Sequence, residues 1–162
     1  DGDSIDDEIK EKYCHIWHQI DEQEDNDLTK STKFCVGKGF TKITYLGATG
    51  KREDHTLGNI SLISRYRREL NVEPVMITDY GTFVTAKGRR TFKSFAGQQV
   101  SIFLMDCREG ELKSEGLRWN SYGYREWWQG TLNEALGDSF TLDTEREYIV
   151  FQTHEKKEKS DF

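Results

Sequence analysis

Between Trp119 and Trp128 the chain concentrates three of its four tryptophans and two tyrosines: Trp119, Tyr122, Tyr124, Trp127 and Trp128. Rings this dense cannot all turn inward. Those left outside offer large contact area at low entropic cost to an apolar or sugar-like small ligand, or to a protein partner. The plainer account is a core cluster that closes one end of the fold. A second concentration is cationic: Arg65, Arg67 and Arg68 around Tyr66, then Lys87, Arg89, Arg90 and Lys93 around Phe92. Cations follow phosphates and rings stack on bases, so this pattern suits an anion or single-stranded nucleic-acid groove. Against it stands the ordinary behaviour of charge runs, which form solvated faces balanced by acids elsewhere.

The residues that could perform catalysis are more scattered. Asp79, Asp106 and Glu111, with Lys113, are the types a metal-dependent nuclease uses, carboxylates for the ion and a lysine for the attacking water. Their spacing is loose, and Glu-x-Lys is a common triplet. Gly47-Ala48-Thr49-Gly50-Lys51 resembles a phosphate loop but lacks the full G-x-x-x-x-G-K-[ST] spacing, and no helix is expected after Lys51. His15 and His18 lie three apart without a third ligand nearby, His55 and His154 are isolated, and no G-x-S-x-G element occurs. No catalytic residue, metal site or cofactor is assigned on these grounds.

A domain that positions such residues must fit within 162 residues and 18.9 kDa, enough for one domain with its own core. Twenty aromatics supply the buried area that a 35 % apolar composition otherwise limits. No stretch is long and apolar enough to span a bilayer. Cys14, Cys35 and Cys107 have no C-x-x-C spacing, which argues against zinc; reduced thiols in a cytoplasmic or nuclear setting fit them, while a Cys35–Cys107 bridge and the Asn59-Ile60-Ser61 sequon would suit a secreted chain. The net charge of −6 is unevenly spread, with −9 over residues 1–27, +8 over 28–97 and −5 over the rest. Either the acidic start folds back over the basic middle, or the basic middle is kept for an anionic partner.

The elements read as follows. Ile5, Ile9, Tyr13, Ile16, Trp17 and Ile20 recur at spacings of three and four, which predicts a helix over 4–20 capped by Ser4. Residues 21–32 read as an acidic linker, 33–154 as a β-rich body and 155–162 as a charged tail. Strands are expected at 33–36, 40–46, 59–68, 75–79, 82–85, 91–95, 99–106, 117–121, 139–142 and 148–154, with a short helix between 124 and 136. Glycine turns at Tyr80-Gly81, Lys87-Gly88 and Gly137-Asp138 would join hairpins.

This pattern predicts a single, mainly β domain of the α+β class: an amphipathic N-terminal helix packed on an antiparallel meander that forms a barrel or sandwich. Parallel α/β folds, which need helices between strands, are set aside. No convergent polar set can be assembled, so the functional expectation is a non-enzymatic module. It would bind a protein partner or small ligand through the aromatic segment, with single-stranded nucleic-acid binding by the basic strands as the alternative and a metal-dependent hydrolase behind both.

Overall fold

Strict alternation in the last strand lays out the molecule. In the computed structural model, which describes residues 5–106 and 110–156, Tyr148 and Val150 point to one side of a sheet and Ile149 to the other, all fully buried. This strand, β9 (Glu147–Lys156), lies inside a six-stranded sheet. In chain order the other members are β1 (Lys42–Leu46), β2 (Glu73–Ile77), β3 (Gly81–Lys87), β5 (Gln98–Leu104) and β7 (Asn133–Glu134), arranged β1-β2-β3-β9-β5-β7. A second sheet, β4-β8-β6, is made by β4 (Arg90–Lys93), β6 (Lys113–Glu115) and β8 (Ser139–Asp143).

The two sheets form a sandwich. Val100, Ile102 and Leu104 of β5 and Ala86 of β3 meet Phe92 of β4 and Phe140 and Leu142 of β8, with Phe92 stacked on Phe140 at 5.1 Å. Helices cover part of the opposite face. There α3 (Glu53–Leu70) lays Ile63 and Tyr66 on Met76 and Ile149, beside Tyr45 and Val72. The helix α2 (Asp27–Gly37) is tied to this core by two buried hydroxyl pairs, Thr29 with Tyr66 at 2.7 Å and Thr32 with Tyr45 at 2.9 Å. The fold is therefore the expected α+β class with most elements strands, open rather than closed into a barrel.

Several local expectations change. Residues 59–68 are helical: Ile60, Ile63, Tyr66 and Leu70 recur at three and four, and their burial on β2 outweighs the strand preference of β-branched and aromatic residues. Residues 33–36 are also helix, because Asn26 caps α2 by accepting from the Thr29 amide at 3.0 Å, well inside the stretch read as a linker. The N-terminal helix is short, α1 (Asp7–Lys12), followed by a 3-10 turn at Cys14–Ile16, and has no buried residue. Ile9, Tyr13, Ile16 and Ile20 of its apolar stripe are exposed rather than packed on a sheet. Ser4 and Cys107 lie outside the described residues, as do 157–162 of the tail. Between 124 and 136 the helix shrinks to a 3-10 turn at Trp127–Gly130 ahead of β7, and the expected strand at 117–121 is reduced to one bridge between Leu117 and Ala135.

The largest departure is a parallel unit. β1 pairs in parallel with β2, from Lys42 opposite Glu73 to Leu46 opposite Ile77, and α3 is the crossover between them. The helix needed for a parallel pair was hidden in the segment read as a strand. Pro74 sits near the start of β2, ahead of Val75 where the ladder to β3 begins, so its missing N–H breaks no bond there.

Burial disfavours the phenolates of Tyr45 and Tyr148 and pushes both hydroxyls up to about 12. In the unfolded chain they ionise near ~10, so the stability they contribute is whole below that pH and is lost as pH rises toward 12. Urea midpoints measured from pH 9 to 12 should fall along this window. Tyr148→Phe should flatten the slope.

Candidate functional site

In parallel β–α–β units ligands gather beyond the carboxyl ends of the strands, where loops converge and a helix begins. Here that place is the turn Gly47–Arg52, between β1 and α3. Gly47 (φ 66°) and Gly50 (φ 101°) hold left-handed conformations that side chains disfavour, which lets the chain reverse tightly. Lys51 and Arg52 follow, and α3 starts at Glu53 without a side-chain cap on Arg52. A glycine turn opening the positive end of a helix, with a lysine beside it, is an anion-accepting arrangement. The turn still lacks the full phosphate-loop spacing, but the sequence reading expects no helix after Lys51. The helix is there.

This turn forms one wall of a cleft of about 570 Å³, together with Thr56, Leu57 and Ile60 of α3 and Phe83 and Phe151 of the sheet. The opposite wall is the turn after β2, Thr78-Asp79-Tyr80, whose shape is set by its own bonds. The Thr78 hydroxyl accepts from the amides of Tyr80 (3.3 Å) and Gly81 (3.2 Å), and the Thr78 amide donates to the Gly81 carbonyl at 2.8 Å. His154 braces it from β9, its amide donating to the Tyr80 carbonyl at 3.0 Å and its Nε2 lying 2.9 Å from the Thr78 carbonyl. At the start of α3, Arg52 forks onto Asp54 (3.1 and 2.5 Å) and holds that carboxyl below the usual aspartate range, helped by the His55 amide.

The cleft does not end at Tyr80. A second hollow of about 720 Å³ shares Asp79, Tyr80 and Phe151 with it and continues over Gln99, Ser101 and Thr153 to Leu132. Leu132 then joins a smaller hollow of about 210 Å³ lined by Trp119, Asn120, Tyr122 and Tyr124. The three hollows form one furrow, from the glycine turn to the aromatic segment.

The aromatic residues divide their duties. Tyr124 is buried; Trp119 and Tyr122 are half exposed at the end of the furrow; Trp127 leans edge-on to Phe103 and donates to the Leu104 carbonyl at 3.3 Å; Trp128 is 73 % exposed. The basic residues come from different elements. Arg65, Arg67 and Arg68 lie on α3, on one side of the large sheet, while Arg89, Arg90 and Lys93 lie with the second sheet on the other, and Lys87 ends β3. Acids engage several of them: Arg65 with Glu69 at 2.7 Å, Arg68 with Glu147 at 3.2 Å and Arg89 with Glu115 at 3.2 Å. Asp25 of the acidic stretch pairs with Lys33 and stands 4.0 Å from Arg65, so part of that stretch folds back onto the basic middle.

The nuclease-like set is dispersed too. Asp106 is engaged by Arg146, a buried guanidinium that also donates to the Tyr124 carbonyl; Glu111 pairs with Lys113 at 2.9 Å; Asp79 stands apart in the furrow. Among the described residues no three His, Cys, Asp or Glu side chains are placed to hold a metal ion. None of the described helices is long and apolar enough to cross a membrane.

A parallel unit with a glycine turn, joined to a β-sandwich, presents a furrow of small-ligand dimensions. Comparisons with known proteins give the particular family. The catalytic-domain model of thiamin pyrophosphokinase matches residues 1–74 and the substrate-binding-domain model of the same family matches 81–151. Matched in this order along most of its length, the chain belongs to the thiamin pyrophosphokinase family. It is 31 % identical over 136 residues to thiamine pyrophosphokinase 1 of rice, covering 74 % of this chain and 50 % of the relative, so it spans half the length of that protein. Solved thiamin pyrophosphokinases share the fold: that of Bacillus subtilis with a TM-score of 0.78 at 19 % identity, covering 96 % of this chain and 76 % of its own, and that of Candida albicans with 0.76 at 16 %, covering 93 % and 70 %.

Family membership overturns the expectation of a non-enzymatic module, and nothing found supports nucleic-acid binding. The small-ligand part of that expectation stands. What sequence reasoning missed was the strand–glycine turn–helix unit, and the signal was the spacing of Ile60, Ile63, Tyr66 and Leu70.

The turn facing the furrow leaves no room at Gly81, where an added Cβ would overlap the Gln152 carbonyl oxygen and the Phe151 ring. Gly81→Ala should therefore cost roughly 2 kcal/mol or more, read as a lower urea midpoint. Gly137→Ala, at a site with open space, should cost far less.

Proposed function

We propose that this chain performs the reaction its family name describes, the transfer of a pyrophosphoryl group from a nucleoside triphosphate to the hydroxyl of thiamin. The observation that carries the reading is the cleft at the carboxyl ends of β1 and β2, where the Gly47–Lys51 turn opens α3, in a chain matched by both domains of the family. In the transfer the thiamin hydroxyl oxygen attacks the β-phosphorus. The bond from that phosphorus to the α–β bridging oxygen breaks, nucleoside monophosphate leaves with that oxygen, and the hydroxyl proton passes to solvent. Little covalent chemistry falls to the protein, whose work is positioning and charge stabilisation. The divalent ion that accompanies a triphosphate enters with it as part of the substrate.

Each end of the furrow suits one substrate. The glycine turn, the start of α3 and the exposed Lys51 offer amides and a cation to the triphosphate. Trp119 and Tyr122 offer ring faces to thiamin, whose thiazolium is a permanent cation attracted by aromatic quadrupoles. On this reading the aromatic segment binds ligand; it lies within the residues matched by the substrate-binding domain.

Steady-state kinetics on the intact protein, with ATP, magnesium and thiamin and with thiamin diphosphate as the quantified product, test this assignment. Lys51→Ala should raise the KM for ATP about tenfold or more, the loss of one charge-assisted phosphate contact. Trp119→Ala should raise the KM for thiamin about three- to thirtyfold and leave that for ATP unchanged. Absence of thiamin diphosphate, or wild-type constants in both variants, would overturn the proposal.

A further inference from the structure

One side chain on α3 is spent on neither core packing nor solvent. Asn59, partly buried, donates from Nδ2 to the Ala48 carbonyl at 2.8 Å, a bond from the helix to the middle of the glycine turn. Its Oδ1 accepts from Asn26 Nδ2 at 3.1 Å, and Asn26 is the cap of α2. Asn26 Oδ1 in turn accepts from the Thr29 amide (3.0 Å) and hydroxyl (2.8 Å), and that hydroxyl pairs with the buried Tyr66. A continuous line of hydrogen bonds thus runs from the glycine turn, across α3, to the start of α2 and back into the core. Ala48 itself lies between the two left-handed glycines, so the anchored carbonyl sits at the most pliable part of the turn. The Asn59 amide, which the sequon would give to a glycan, is used here for the fold.

We propose that Asn59 is a positioning residue for the triphosphate: by fixing the Ala48 carbonyl it holds the turn 47–51 in its anion-accepting shape, and through Asn26 it couples that shape to α2. The role rests on the assignment of this cleft to the nucleotide. Asn59 touches no reacting atom. An unanchored turn must be ordered when the phosphates arrive, so the loss appears in nucleotide affinity and not in the chemical step.

Three variants separate the bonds, with kinetics and thermal melting measured on the intact protein. Asn59→Ala removes both contacts of the residue. Asn59→Asp keeps an acceptor for Asn26 but loses the donor to Ala48. Asn26→Ser keeps an oxygen to cap α2 but cannot reach Asn59. We expect Asn59→Ala and Asn59→Asp to raise the KM for ATP about three- to tenfold, with kcat and the KM for thiamin within about twofold of wild type. Asn26→Ser should raise the KM for ATP in the same direction by a smaller factor, at an unchanged melting temperature.

A wild-type ATP KM in Asn59→Ala or Asn59→Asp, alongside a raised one in Lys51→Ala, overturns the positioning role and leaves the cleft assignment standing. Equal losses in kcat and in both KM values, tracking a lowered melting temperature, also overturn it, since they mark a merely structural residue. An unchanged ATP KM in Lys51→Ala overturns the cleft assignment, and this role with it.

Discussion

The structure depends on one strand serving two cores. β9 is hydrogen-bonded to β3 on one side and β5 on the other, and its period of two sends Tyr148 and Val150 into the sandwich and Ile149 under α3. Neither layer closes without it. A slip of one residue would exchange the two sets and place the Tyr148 ring under the helix. The ladder of seven matched pairs with β3, from Gly81–Thr153 to Lys87–Glu147, fixes the register. Function inherits that constraint, since the same strand carries Phe151 into the cleft and His154 to the turn that holds Asp79.

Much of the β half was legible from residues alone. β5 and β8 alternate more and less buried positions, β3 and β9 are rich in β-branched and aromatic residues, and Gly88 adopts the positive φ its hairpin needs. The helical half was not. Residues 59–68 carry three arginines, two isoleucines and a tyrosine, a composition that suits a half-buried strand as well as a helix, and only tertiary burial on β2 decides between them. A strand at 59–68 would leave no crossover helix for the parallel pair, and without that helix the glycine turn has no chemical meaning. The ring density of the aromatic segment can be read whatever its secondary structure. The turn at the other end of the furrow cannot, because a glycine turn has chemical meaning only when a helix follows.

Charge patterning needed the fold to be interpreted. The excess of cations over residues 28–97 looks like one surface in sequence, yet the large sheet separates it into two groups. Each meets its own acids, Asp25, Glu69 and Glu147 near α3, and Glu115 and Asp143 near β4. These exposed pairs add little stability singly, and they offset part of the positive charge.

The position of β9 in the sheet has a consequence for synthesis. β9 follows the other described strands along the chain yet lies inside the sheet, so β1–β3 and β5 can be complete in the nascent chain while the gap between β3 and β5 stays open. Until residues 147–156 emerge, two strand edges and two apolar faces stand exposed together, the condition in which chains pair with one another instead of with themselves. Both layers wait on β9, which makes the interval before residues 147–156 emerge the one a cellular chaperone would have most reason to guard.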